Sequence, residues 1–317
     1  VVPAKPVVRN VNEYQAPYQA ASKVGQPSTM IPINMSAATY QALSRIQQRH
    51  GDIDEYVAHR LQYTPLELPH YFSPEQVDAL ALAISRVEEG LGMINADQTG
   101  IGKGRFVAGL LRYAKLNNKT PVFMSIKPEL FTDIFRDISD INSQHLFKKP
   151  FIFNTGVDVK VYGTADKVLY PSTPAYEMEQ AFKTGFLPEG ADLVMTTYSQ
   201  FARARSTNKK SSLILDLINE NTMLFLDESH VAAGESQTSE IISDCVGKSG
   251  GVVYSSATPI KGVKNFRLYS KCFPQSVDTV NLADVLAIGG EDLQEAISTN
   301  MALDGAIIRR EHDFSKL

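Results

Sequence analysis

The 317-residue chain has no Trp and only two Cys, Cys245 and Cys272. Two cysteines exclude a disulfide framework, and the lack of any Cys-x-x-Cys or His-x-x-x-His spacing excludes the usual zinc sites, so a reducing, cytoplasmic setting is expected. No run reaches the roughly 18 apolar residues of a membrane span, and residues 1–10 contain no continuous apolar segment of the kind a signal peptide needs. A soluble protein without a membrane partner is therefore expected. Neither charge dominates: 31 Lys+Arg stand against 35 Asp+Glu, a net charge of −4, which argues against a histone-like basic protein but leaves room for one basic groove. Twenty Gly and 16 Pro without a repeat exclude a collagen-like chain, and 43% hydrophobic residues exclude a wholly disordered one. Because the chain begins at Val1 and ends at Leu317 with no evident stop signal, it is expected to be a piece of a longer protein.

Length allows two domains, or one large α/β domain with an extension. Residues 1–35 carry Pro3, Pro6, Pro17, Pro27 and Pro32 without lasting periodicity and read as an extended arm lying on something else. Residues 36–70 read as a helical preface, with Ser36 and Asp52 as N-caps. From Ser73 the pattern sharpens. Ser73, Pro74 and Gln76 make an N-cap, a proline at N1 and a capping-box partner, ahead of the apolar face of Val77, Leu80, Ala81 and Ile84. Beyond it, apolar runs at 92–96, 121–126, 191–196, 223–227 and 251–255 alternate with helical segments at 102–116, 128–138, 211–219 and 236–246. Buried strands alternating with helices predict an α/β fold with a doubly wound, mostly parallel sheet, whose ligand sits at the carboxyl ends of the strands. Residues 140–190 suggest a strand pair near Phe151 and Val159, and residues 204–210 a basic surface loop.

Three stretches carry chemistry. Asp97-Gln98-Thr99-Gly100-Ile101-Gly102-Lys103-Gly104-Arg105 follows a strand and opens a helix, where backbone N–H groups cradle a polyphosphate and Lys103 reaches its outer phosphates. The pattern departs from the common G-x-x-x-x-G-K-[ST] loop, with Asp97 at the first Gly and Gly104 at the Mg²⁺-binding hydroxyl, and a ligand-free glycine turn is the plain alternative. Far downstream, Asp227, Glu228 and His230 follow an apolar strand. Asp227 is placed to hold Mg²⁺ through water, Glu228 to polarise an attacking water, and His230 to link nucleotide state to neighbouring loops. A third strand ends in Ser256-Ala257-Thr258, whose hydroxyls either relay between the acidic pair and a second ligand or merely cap a turn.

In order and placement, Gly100-x-Gly102-Lys103, Asp227-Glu228-x-His230 and Ser256-Ala257-Thr258 resemble motifs I, II and III of superfamily 2 helicases. The stretches 97–105, 72–80 and 307–311 more narrowly resemble the strawberry notch helicase-like family, which includes very large phage and plasmid proteins linked to anti-restriction. The resemblance implies a RecA-like P-loop NTPase domain over residues 71–317, with the second RecA-like domain and its arginine finger absent from this chain. It implies ATP and Mg²⁺ as cofactors, ATP contacts from Phe72, Gln76, Thr99, Gly100, Ile101, Gly102, Lys103, Gly104 and Arg105, and catalysis by Lys103, Asp227, Glu228 and His230. Gln76 would read the adenine edge, in addition to or instead of its capping role, and Phe72 would stack on the base. Lys127 matches motif Ia and Thr196, Thr197 and Tyr198 motif Ib; these would touch a nucleic-acid backbone, DNA more than RNA. The setting implied is cytoplasmic, or nuclear for a eukaryotic member.

The leading expectation is thus the first motor domain of a nucleic-acid-stimulated ATPase, which alone binds ATP better than it hydrolyses it. The alternatives are a P-loop ATPase that acts on protein or small molecules, and a non-catalytic docking module.

Overall fold

The computed structural model describes residues 14–259, 264–274 and 276–316, so the first 13 positions of the expected arm and the last position of the expected motor domain lie outside the described residues. The described chain opens with a short antiparallel ribbon, β1 (Gln15–Pro17) and β2 (Met30–Pro32), that runs into helix α1 (Ile33–His50). The helix starts ahead of Ser36, because Pro32, with φ −56°, already stands at the N-cap position and feeds the chain directly into the first turn. Helix α2 (Ile53–Leu61) is capped by the Asp52 side chain, which accepts from Glu55 N–H. After the single turn α3 (Leu68–Tyr71), α4 (Pro74–Glu88) begins with the full capping box of Ser73 and Gln76.

The α/β part continues as β3 (Gly92–Asn95), α5 (Lys103–Leu116), β4 (Thr120–Ser125), α6 (Glu129–Asp140), β5 (Pro150–Ile152), β6 (Val159–Lys160), β7 (Val168–Tyr170), α7 (Ala175–Thr184), β8 (Leu193–Thr197), α8 (Lys209–Leu217), β9 (Thr222–Asp227), α9 (Gln237–Lys248), β10 (Gly251–Ser255), α10 (Leu282–Leu303, broken at Gly290) and β11 (Ile307–Ile308). Seven strands form one parallel sheet in the order β11-β3-β10-β9-β4-β8-β5. Each strand splits its side chains between two cores. Met93, Phe123, Leu193, Met195, Met223, Phe225 and Val253 join the cluster with α2, α4, α5 and α6. Ile94, Val122, Met124, Val194, Leu224, Leu226, Val252 and Tyr254 join the opposite cluster with α8 and α9. That period-2 division, with both faces buried, is why the strands read as continuous apolar runs rather than as alternating ones.

Phe151 and Val159 do not pair with each other: Phe151 lies in β5 at the edge of the main sheet, whereas Val159 pairs with Tyr170 in a separate β6–β7 ribbon. The N-terminal ribbon is stitched to the other end of the chain, since Met30 and Glu311 exchange both backbone hydrogen bonds at 2.8 Å. Beneath it, the Asp78 carboxylate on α4 accepts from Tyr18 Oη at 2.6 Å and from the N–H groups of Ala21 and Ser22. Helix α1 packs on α4 and α10, and Leu43 and Ile46 share a cluster with α4 and α5, so these first helices add to the same core. Cys245 and Cys272 are free and fully buried, and burial pushes both thiols up to about 12, as for plain packing residues. Among the described residues no helix is long and apolar enough to cross a membrane.

Candidate nucleotide site

Strand register sets Asn95, Ser255 and Asp227 side by side at the carboxyl edge of β3, β10 and β9. The loops leaving these three strands therefore meet at one place, the position where doubly wound sheets hold ligands. After β3 the loop passes through Gly100 at φ 93° and Gly102 at φ 107°, left-handed values that glycine adopts without strain. A Cβ at 102 would also press on Gln76 Nε2 and displace that side-chain amide. Gln76 Nε2 donates to Gly102 O at 3.1 Å while Oε1 accepts from Ser73 N–H at 2.8 Å, so one amide joins the cap of α4 to the loop. One N–H and one lone pair of that amide remain for any further partner.

Lys103 opens α5 and donates through Nζ to the Asp97 carbonyl. Burial lowers the pKa of its ammonium, and Asp97, Glu228 and Asp227 pull it back up. Thr99 is exposed and Ile101 half-buried on the crest of the loop. Gly104 has a steric reason of its own: a Cβ at 104 would press on Asp137 Oδ2 of α6, so the Ser or Thr of the common loop would need this carboxylate to move. Arg105 points elsewhere, donating to Tyr71 O at 3.1 Å and pairing with Asp140 at 3.4 Å. Phe72 is not a base platform. Its ring is 4% exposed, packed among Tyr63, Tyr71 and Leu80 and against Gly109, with no face open to a ligand.

Asp227 ends β9 half-buried, and burial together with Glu228 pushes its pKa up to about 6 against the pull of Lys103. Glu228 takes a left-handed conformation at φ 47°, uncommon for a residue with a side chain and typical of places where chemistry dictates the turn. His230 Nδ1 lies 2.9 Å from Ser256 Oγ and 3.5 Å from Glu228 Oε2. Ser256 is itself tied to β3, donating its N–H to Asn95 O, and its hydroxyl accepts from Thr258 N–H at 3.4 Å. Ala257 and Thr258 come to the surface beside it. His230 thus stands between Glu228 and the third motif, hydrogen-bonded to Ser256.

The residues at the end of β8 and directly after it behave differently from expectation. Thr196, Thr197 and Tyr198 are buried, at 0%, 1% and 4% exposure, and so offer no side chain to a nucleic-acid backbone. Thr197 Oγ1 instead accepts from Asn154 Nδ2 at 2.8 Å, and Tyr198 Oη donates to the Asp227 carbonyl at 2.6 Å, bracing the end of β9. Lys127, at the junction of β4 and α6, is exposed.

Two residues of the site escape sequence reasoning. Arg310, fully buried, grips Asp97 through Nη2–Oδ2 at 2.6 Å and Nε–Oδ1 at 3.0 Å. His312 Nε2 lies 2.9 Å from Thr99 O. The visible signal was an Asp where the common loop has Gly, together with an Arg-Arg pair after two isoleucines, but the partners are 213 positions apart. Among the described residues no three His, Cys, Asp or Glu form a metal cage. Mg²⁺ bound with a nucleotide needs none, because phosphates and waters supply most of its ligands, and a lone Asp227 beside a glycine cradle fits that demand.

A family model described as P-loop containing NTP hydrolase pore-1 matches residues 33–317. The chain belongs to this family. No curated protein matches it. Among solved structures, the SWI2/SNF2 ATPase core domain of Sulfolobus solfataricus is 14% identical, with a TM-score of 0.50 over 78% of this chain and 45% of that one. The same core in complex with dsDNA gives 12% identity and a TM-score of 0.47, over 75% and 44% of the two chains. The UvsW helicase of bacteriophage T4 gives 17% and 0.36, over 60% and 55%. The chain thus spans less than half the length of the Sulfolobus core. The 0.50 match speaks for the fold alone: the chain shares the α/β architecture of the Sulfolobus ATPase core domain, here built on a seven-stranded parallel sheet.

Proposed function

We propose that this P-loop NTPase is the first motor domain of a nucleic-acid-dependent ATPase of strawberry notch type. The observation that carries the reading is the convergence of Lys103, the Asp227-Glu228 pair and the bonded His230 and Ser256 at the carboxyl edge of three adjacent strands. ATP would lay its phosphates on the N–H groups of the loop from Thr99 to Gly104, with the Lys103 ammonium neutralising the outer ones. Asp227 would hold Mg²⁺, which would supply neutralisation of the phosphate charge. Glu228 orients the water whose oxygen bonds to the terminal phosphorus as the bond to the bridging oxygen breaks, and it takes up the water's proton. His230 and Ser256 connect that event to Thr258 on the surface. Lys127, exposed after β4, is a cation suited to a nucleic-acid phosphate. The fuller reading includes a second RecA-like domain, a cytoplasmic setting and a place in a large phage or plasmid anti-restriction protein.

The test is ATPase activity of the longest available form of the protein with and without double- or single-stranded DNA or RNA. Stimulation that disappears in Lys103→Ala and Glu228→Gln is expected; turnover indifferent to every nucleic acid would sink the motor reading. Burial of Thr196, Thr197 and Tyr198 favours a second reading in that event, an ATPase acting on protein, because it removes three of the four expected backbone contacts.

A further inference from the structure

The loop contains a charge that its chemistry should not tolerate. A phosphate-binding loop works by offering N–H groups and positive charge, yet its first position is Asp97, a carboxylate, and that residue is 2% exposed. Left alone, a buried carboxylate at this place would oppose a polyphosphate through a medium of low dielectric. It is not left alone. Asp97 Oδ1 accepts from Arg310 N–H at 2.8 Å and from Nε at 3.0 Å, and Oδ2 accepts from Nη2 at 2.6 Å. Nη1 donates to Glu75 O at 2.6 Å, and the guanidinium lies 4.8 Å from the centre of the Tyr18 ring.

The backbone repeats the connection. Strand β11 pairs with β3, and the ladder does not stop where the strands end: Ile94, Ala96 and Gln98 donate in turn to the carbonyls of Ala306, Ile308 and Arg310. His312 then bonds to the Gln98 side chain through its N–H at 2.8 Å and reaches Thr99 O through its ring. The first half of the nucleotide loop is therefore an extension of β3, held in register by an extension of β11.

With the nucleotide reading as its basis, we propose that Arg310 is a positioning residue for the polyphosphate. It acts through Asp97, cancelling the carboxylate's field at the anion site and fixing the loop's first turn. It touches no substrate atom.

The experiment is equilibrium binding of fluorescent methylanthraniloyl ATP, ADP and AMP, with Mg²⁺, to the 317-residue chain and its variants, well below each variant's melting temperature and with stoichiometry measured alongside Kd. Arg310→Met is expected to weaken ATP binding about tenfold or more, ADP less and AMP least, with one site per chain retained, since repulsion grows with phosphate charge. Adding Asp97→Asn to Arg310→Met should restore ATP affinity to within about threefold of the parent, because the uncompensated charge is gone. Should Arg310→Met not fold, Arg310→Lys, which keeps the charge with fewer donors, carries the test with a smaller loss of the same rank order. A purely structural pair would lower stoichiometry and leave Kd alone. That result, or equal losses for the three nucleotides, overturns the proposal. A parent chain that binds none of the three refutes the nucleotide reading itself.

Discussion

The two walls of the nucleotide site are built to opposite specifications. On one side, Asp97 and Arg310 are 3% and 1% exposed in their side chains and share every polar atom with a partner. On the other, Glu228 and His230 are 40% and 37% exposed, and His230 meets Glu228 at 3.5 Å and Ser256 at 2.9 Å through one contact each. A buried pair gains strength from low dielectric but becomes costly to break, whereas a half-exposed pair is weak and cheap to rearrange. The glycine loop after β3 is thus the fixed member. The acidic motif and its link to Ser256 are the more exposed part, and under the proposed function they are the segment that would change partners, since segments that switch come from the less stable end of a fold.

The sharpest way to break this contrast is Arg310→Ala. It leaves Asp97 charged, buried and unpaired, and should cost about 3–5 kcal/mol in urea denaturation. The next effect is a pH dependence on the same sealed side. Asp78 under the N-terminal ribbon has a carboxyl that burial pushes up to about 6 from an ordinary 3.8. The folded chain then holds this proton more tightly than the unfolded one, so its contribution is greatest below about pH 4, falls as pH rises through about 6 and is level above that. The span is on the order of 2–3 kcal/mol, and Asp78→Asn should flatten that part of the slope between about pH 4 and 7.

Gly104→Ser probes the border between the walls. The added side chain meets Asp137 and should destabilise by about 1–3 kcal/mol, with much of the loss regained by adding Asp137→Ala. The smallest effect belongs to the open wall: His230→Ala should change folding stability by about 0.5 kcal/mol or less while altering ATP turnover. A large loss of stability there would show that the acidic wall is as rigid as the loop.

Much of this was readable along the chain, for reasons that differ by element. The run 251–255 coincides with strand β10, and those near 92, 121 and 223 miss β3, β4 and β9 by a residue or so at their ends, because strands buried on both faces are uninterrupted apolar segments. Ser73 and Asp52 were legible because a cap is a contact over three residues. Strand β11 was not, being two isoleucines long, and α10 was obscured by Gly289 and Gly290 in its middle. Phe72 and Tyr198 looked like surface candidates because their neighbours belong to motifs. Which face of an element a residue occupies is set by packing against distant segments.

Local chemistry already determined that a glycine loop with Lys103 follows one strand, that two carboxylates follow another, and that parallel strands bring such ends to one edge. Those are short-range matters of capping, periodicity and backbone freedom. Only the folded chain decided that Asp97 is neutralised by Arg310, that Gln76 braces Gly102, and that Gly104 makes room for Asp137. Each is a meeting of side chains from separate elements, and burial in a common low-dielectric core is what gives it consequence.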